Sequence, residues 1–251
     1  RKCNKMKNDV SHKILVAYHK PAQIIKSDVL VPIHLGRALA LESSKDNTLD
    51  STDYQWMLDN MIGDDTGDNI SHLNRHFCEL TAMYWAWKNY DKLGNPDYIG
   101  FTHYRRLFDF FASTEGRKLK LNCLVEETIP ENLINQYTHQ CDEIIKTISD
   151  VDIIHSMLID ADKPLYDALK GHDTLFLNWK ESIFHGTLQY VEDNMPEYRE
   201  ILKTYKASYQ HYCFNCFIMK KEIFFQYCEF VFSILLAMEK RVDYSQLNIS
   251  G

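Results

Sequence analysis

Blocks of apolar and polar residues with distinct periods run along the chain. Lys13-Ile14-Leu15-Val16-Ala17-Tyr18 is a short apolar run stopped by Pro21, which predicts a buried strand. Val29-Leu30-Val31-Pro32-Ile33 is a second extended segment, and Pro32, lacking an N–H, places it near a sheet edge or a strand end. Residues Ser43 to Asp53 and the acidic stretch from Gly63 to Asn69 read as loops. Leu73, Phe77, Leu80, Tyr84 and Trp87 recur at spacings of 4, 3, 4 and 3, so one helix with a single apolar face is predicted. Ser71 or Asn74 would cap it. Gly94-Asn95-Pro96 ends that pattern, and Tyr98 to Thr102 follows as a strand.

The second half continues in the same manner. A helix is predicted over Glu131 to Ser149, a strand over Val151 to Ile154, and a late strand over Tyr212 to Met219. Between Leu158 and Met195 the mixed pattern suggests short helices that cover a cleft. Ile223, Tyr227, Val231, Ile234, Leu235 and Met238 mark a final core helix. Its apolar part, Phe230 to Met238 with Ser233 inside, is far shorter than the ~20 residues of a membrane span. Helices alternating with strands give an α/β class. With no repeat and no linker, the simplest division is an extension over residues 1–12 and one domain over 13–251. The start without Met and the abrupt end at Gly251 read as a truncated chain.

Composition narrows the function. At 251 residues and 45% apolar, the chain can bury a core, which excludes a disordered protein. A net charge of −7 and no run of Lys or Arg argue against a nucleic-acid partner. Seven scattered Cys read as reduced thiols of a cytosolic chain, and the first residues carry no apolar secretory segment. The Walker A and Rossmann glycine signatures are absent, as is a G-x-S-x-G elbow.

The sharpest cluster is His103-Tyr104-Arg105-Arg106, just past a strand end, where open α/β sheets place their ligands. Forked guanidiniums there suit a diphosphate, although surface ion pairs with Asp91, Asp109 or the acidic loops are the plain alternative. The Asp64 to Asn69 turn offers groups for a cation or a ribose and base, but it lacks the closing Glu of a calcium loop. Asp160-Ala161-Asp162 has the D-x-D form that holds a divalent metal, or is a solvated turn. His211-x-Cys213-x-x-Cys216 has zinc-type ligands without a matching second pair.

Several strings together point further. Gly67-Asp68-Asn69-Ile70-Ser71, Cys78-Glu79-Leu80-Thr81, Tyr84-Trp85-Ala86-Trp87-Lys88-Asn89 and His103-Tyr104-Arg105-Arg106, with Phe214-Asn215-Cys216-Phe217, resemble a bacterial domain-of-unknown-function family. Its members occur among capsular and exopolysaccharide biosynthesis proteins and are regarded as GT-A-like glycosyltransferases. The resemblance implies a Rossmann-like fold with a central mixed, mostly parallel sheet flanked by helices. It implies transfer of a sugar, galactose in pyranose or furanose form, from a UDP-sugar to a lipid-linked surface-polysaccharide acceptor. Such an enzyme would be cytoplasmic, in peripheral contact with the inner face of the membrane.

Residue roles follow from the same resemblance. Tyr18, His19 and Lys20 would approach the nucleotide, Asp68 and Asn69 the ribose or base, and Glu79 the donor. His103, Tyr104, Arg105 and Arg106 stand where many GT-A enzymes carry D-x-D, so they would replace some or all of the metal's role. A Mn or Mg ion is the less favoured arrangement. His211 and Asn215 would line the sugar and acceptor pocket, and an inverting reaction would draw its base from Asp160, Asp162 or Glu181. A carbohydrate- or partner-binding module and a metal-dependent nucleotide-sugar hydrolase are the rival classes.

Overall fold

The computed structural model describes residues 10–43, 49–111, 123–125, 129–149, 151–156, 158–168, 183–212 and 214–241. In chain order they form β1 (His12–Tyr18), β2 (Leu30–His34), α1 (Ser51–Asn60), β3 (Ile62–Gly63), α2 (Asn74–Phe77), α3 (Leu80–Lys88), β4 (Tyr98–His103), β5 (Arg106–Phe108) and β6 (Cys123–Val125). There follow α4 (Glu131–His139), α5 (Cys141–Ile148), β7 (Ile153–His155), β8 (Leu158–Asp160), α6 (Leu165–Ala168), α7 (Ile183–Asn194) and α8 (Arg199–Lys206). The chain closes with β9 (Gln210–Tyr212), β10 (Phe217–Lys220) and α9 (Lys221–Glu239). Two compact units result, Arg1–Met157 with Phe214–Cys228, and Leu158–Cys213 with Glu229–Gly251.

The first unit is built on a sheet of order β3-β2-β1-β4-β10-β7, with β5 paired to β4 and to β6. Strands β3, β2, β1 and β4 pair in parallel, and β10 runs antiparallel between β4 and β7. This is the mixed, mostly parallel sheet flanked by helices that the sequence implied. Its central strands β1 and β4 are buried along almost their whole length, so their sequences read as apolar runs rather than alternations. Pro32 lies opposite Val16, and the edge strand β3 reaches only Ile33 and His34. The missing N–H therefore faces no partner strand.

Alternate residues go to opposite faces. On one face Ile14, Val16, Tyr18 and Ile218 pack with Met57 of α1, Tyr137 of α4, and Ile144 and Ile148 of α5. On the other, Phe224 of α9 stacks on Phe101 at 5.8 Å and lies 6.4 Å from Phe217. Each such large side chain contributes about 1.5–3 kcal/mol through removal from water. The second unit has its own small core of Val191, Leu202 and Ile234, and a two-stranded sheet of β8 and β9.

Three expected elements are interrupted. The helix drawn through Leu73 to Trp87 breaks at Cys78, whose φ is 48°, so the segment becomes a 3₁₀ turn, α2 and then α3. Ser71 and Asn74 cap neither piece. The Asn74 amide instead donates to Cys78 O at 2.8 Å and to Thr81 Oγ1 at 3.0 Å, holding the break. The helix over Glu131 to Ser149 is divided at Gln140, which leaves helical geometry and lets the faces of α4 and α5 both meet the core. The late strand splits into β9 and β10, in different sheets, with Phe214 at φ 66° between them.

Candidate functional site

Strand register gathers chemistry on one edge of the first unit. Tyr18 lies opposite His34, Ala17 opposite His103, and His34 opposite Gly63. The segments leaving these parallel strands, beginning at His19, Leu35, Asp64 and Tyr104, therefore emerge at the same carboxyl edge, where α/β sheets hold ligands. Antiparallel β10, with Phe217 opposite Phe101, brings Phe214 and Asn215 to that edge from the other direction.

The basic cluster forms here. The His103 ring lies 4.4 Å from Tyr104 and 5.8 Å from His19. The Arg105 guanidinium sits 5.2 Å from the centre of the Tyr104 ring, and that of Arg106 sits 4.3 Å from the centre of Phe214. Among the described residues no carboxylate pairs with either guanidinium, so the ion pairs with Asp91 or Asp109 do not form. Burial, reinforced by the charges of His19, Arg106 and Arg105, pushes the His103 imidazole down to about 3. Its Nδ1 accepts from the Arg105 backbone N–H at 3.3 Å, which assigns the proton of the neutral ring to Nε2.

The neighbouring positions divide between surface and core. Lys20 is exposed and His19 half-buried. Tyr18, placed by the sequence near a nucleotide, is fully buried; its hydroxyl donates to Gln23 O and accepts from the Ile25 N–H. It therefore fixes the loop after β1. The Tyr104 ring stacks on Tyr18 at 5.1 Å, and its buried hydroxyl has no hydrogen-bond partner among the described residues.

The acidic turn is largely internal structure. Asp64, 0% exposed, accepts from the Gly36 N–H at 2.7 Å, the Arg37 N–H at 3.0 Å, Ser71 Oγ at 2.6 Å and Thr81 Oγ1 at 2.5 Å. Four donors saturate the carboxylate and bind the exits of β2 and β3 to the start of α3. Gly36 makes the approach possible: its φ is +59°, and a Cβ there would stand 2.5 Å from Asn74 Cγ. Asp68 accepts from the Tyr84 hydroxyl at 3.1 Å, and Asn69 donates to Asp65 O and Gly67 O. The turn thus uses Asn69 internally, while Asp68 stays exposed. His34 is buried beside Arg37, whose Nε donates to His34 Nδ1 at 3.3 Å. Burial and the charges of Arg37 and His19 push His34 down to about 4. His34 and Arg37 did not emerge as site residues from the sequence, and Asp64 emerged only as one member of the acidic turn. Nothing local distinguishes Asp64 from Asp65 or Asp68, because its donors lie up to 28 positions away.

Glu79 and Asn215 meet directly, the Asn215 amide donating to Glu79 Oε1 at 2.9 Å. The remaining sequence candidates belong to the second unit. There Asp160 is exposed and accepts from the Gln210 amide at 2.7 Å, Asp162 is exposed, and His211 is half-buried with an Nδ1 that has no partner among the described residues. Glu181 and Cys213 lie outside the described residues. Among the described residues no three His, Cys, Asp or Glu side chains converge as a metal site, and no helix is long and apolar enough to cross a membrane.

Comparison with known proteins agrees with this architecture. A solved structure titled "WbbM bifunctional glycosyltransferase apo structure" superposes with a TM-score of 0.70 at 28% identity, covering 96% of this chain and 39% of that one. The chain thus spans about two-fifths of the length of that protein. No curated protein matches the sequence. A family model described as "Domain of unknown function (DUF4422)" matches residues 13–250. With that match running from the first strand almost to the last residue, the chain belongs to the DUF4422 family.

Proposed function

We propose that this chain is a glycosyltransferase that moves a sugar from a UDP-sugar to a hydroxyl of a lipid-linked surface-polysaccharide intermediate. One observation carries the reading: Arg105 and Arg106, without carboxylate partners among the described residues, stand at the carboxyl edge of a parallel sheet. Two guanidiniums with no carboxylate partner among the described residues, beside a half-buried imidazole, offer forked donors that suit an anion. The likeness to a bifunctional glycosyltransferase supports the same class of chemistry. Galactose, as pyranose or furanose, is the proposed sugar, and the cytoplasmic face of the membrane the proposed place.

The chemistry follows from the side chains. As the bond between the sugar and the diphosphate breaks, negative charge grows on the leaving oxygens. Fixed guanidiniums meet that charge without reorganisation at the moment of reaction. His103 adds an Nε2–H donor that stays neutral and correctly protonated across the physiological range, its imidazole being held down to about 3. The described residues assemble no donor set for a divalent ion, so no step is assigned to one.

Calorimetric titration with UDP, in EDTA and then with added Mn²⁺, tests the reading. Binding should persist in EDTA. Arg105→Ala and Arg106→Ala should each weaken it roughly 10- to 100-fold, the loss of a charge-assisted hydrogen bond of about 1.5–3 kcal/mol. Unchanged affinity in both variants would overturn the assignment. Binding only with Mn²⁺ would return the diphosphate to a metal and to the D-x-D of Asp160 and Asp162.

A further inference from the structure

Two backbone positions near the basic cluster are unfavourable for L-residues. Cys78 has φ 48° and ψ −128°, and Phe214 has φ 66°. Only one other non-glycine residue among those described has a positive φ, Asn95, a type that tolerates it. The residues that follow the two positions, Glu79 and Asn215, are 136 apart in sequence and hydrogen-bonded at 2.9 Å. Strained backbone persists where surrounding structure over-determines it, and such positions cluster at functional sites.

The surroundings hold this pair firmly. On one side the Asn74 amide clamps Cys78 O, and Thr81, two residues beyond Glu79, is tied to the saturated Asp64. On the other side Ser156 Oγ donates to Phe214 O at 3.3 Å, and the Phe214 ring lies against Arg106. Glu79 is thus linked through Asn215 and Phe214 to the guanidinium that faces the diphosphate in our reading. The Asn215 amide occupies one carboxylate oxygen, and Oε2 has no hydrogen-bond partner among the described residues. Asp64 is unsuited to proton transfer because both its oxygens are filled.

We infer that Glu79 is the base of the transfer, with Asn215 as its positioning residue; this rests on the UDP-sugar reading. Glu79 Oε2 takes the proton from the attacking acceptor hydroxyl as its oxygen forms a bond to the anomeric carbon. The bond from that carbon to the diphosphate oxygen breaks, and its electron pair leaves on UDP beside Arg105 and Arg106. The displacement is direct, so the anomeric configuration inverts. The base comes from the same unit as the basic cluster and is presented by an amide rather than by a D-x-D turn.

The test uses the whole chain, UDP for binding, and UDP-galactopyranose and UDP-galactofuranose for turnover, read as UDP release with water or an added sugar alcohol as acceptor. Glu79→Gln should bind UDP within about twofold of wild type and lose at least 100-fold in turnover. Azide, an anionic nucleophile that needs no base, should restore UDP release from UDP-sugar in Glu79→Gln and yield a glycosyl azide. Asn215→Ala should lose less, with kcat falling and KM held. Turnover retained in Glu79→Gln, or turnover lost without azide rescue, overturns the role of Glu79 while leaving UDP binding intact. A wild-type chain that neither binds UDP nor releases it from either donor overturns the transferase reading and the base with it.

Discussion

Replacing Asp64 by Asn probes the hub that holds the carboxyl edge together. The side chain keeps its size and burial, but one of two accepting oxygens becomes an NH₂ group. Each oxygen accepts two of the four donors: Arg37 N–H and Ser71 Oγ on Oδ1, Gly36 N–H and Thr81 Oγ1 on Oδ2. Whichever way the amide turns, one backbone N–H faces a donor, and one hydroxyl must turn from donor to acceptor. The lost N–H bond to a charged group contributes roughly 1.5–3 kcal/mol and the remaining bonds lose their charge assistance, offset in part because Asn no longer buries a charge. The expected loss is about 3 kcal/mol, which for a chain of this size lowers Tm by roughly 6–12 °C. Urea denaturation followed by circular dichroism measures it directly. Ser71→Ala, added to Asp64→Asn, should cost less than it does alone, since its partner has already changed. A loss below about 1 kcal/mol, or full additivity of the two substitutions, would refute the hub.

Two further outcomes follow from the packing and the buried imidazoles. Gly100→Ala should destabilise by about 1–3 kcal/mol in the same assay, because a Cβ there would stand 2.7 Å from Ile218 Cγ1 and 3.1 Å from Phe217 O; a neutral result would mean that β10 yields. His103 and His34 fold with values near 3 and 4 against an ordinary 6.5, so on acidification the unfolded chain takes up protons first. Their contribution is complete above about pH 6.5 and is lost as the pH falls towards the folded values, by up to about 1.4 kcal/mol per pH unit for each histidine. The urea midpoint should drop between pH 7 and pH 5, less so in His103→Gln, and an unchanged midpoint would contradict both burials.

The chain by itself determined the elements whose signal is local. The apolar runs over β1 and β4, the final helix and the α/β order are legible because a strand buried on both faces must be apolar throughout, and a core helix must repeat near 3.6. The cluster from His103 to Arg106 is legible too, since it directly follows such a strand. Periodicity could not show where a helix breaks, because Leu73 and Leu80 keep helical spacing across Cys78 while the backbone turns there to serve Asn74, Thr81 and Asp64. Nor could it distinguish the acids. Asp64, Asp68 and Glu79 are equivalent as residue types, and they part company only through donors brought from Gly36, Tyr84 and Asn215 by the folding of the sheet. A side chain's chemistry is written in the sequence, but whether it is saturated, exposed or held ready depends on partners across the sheet, which only the tertiary structure supplies.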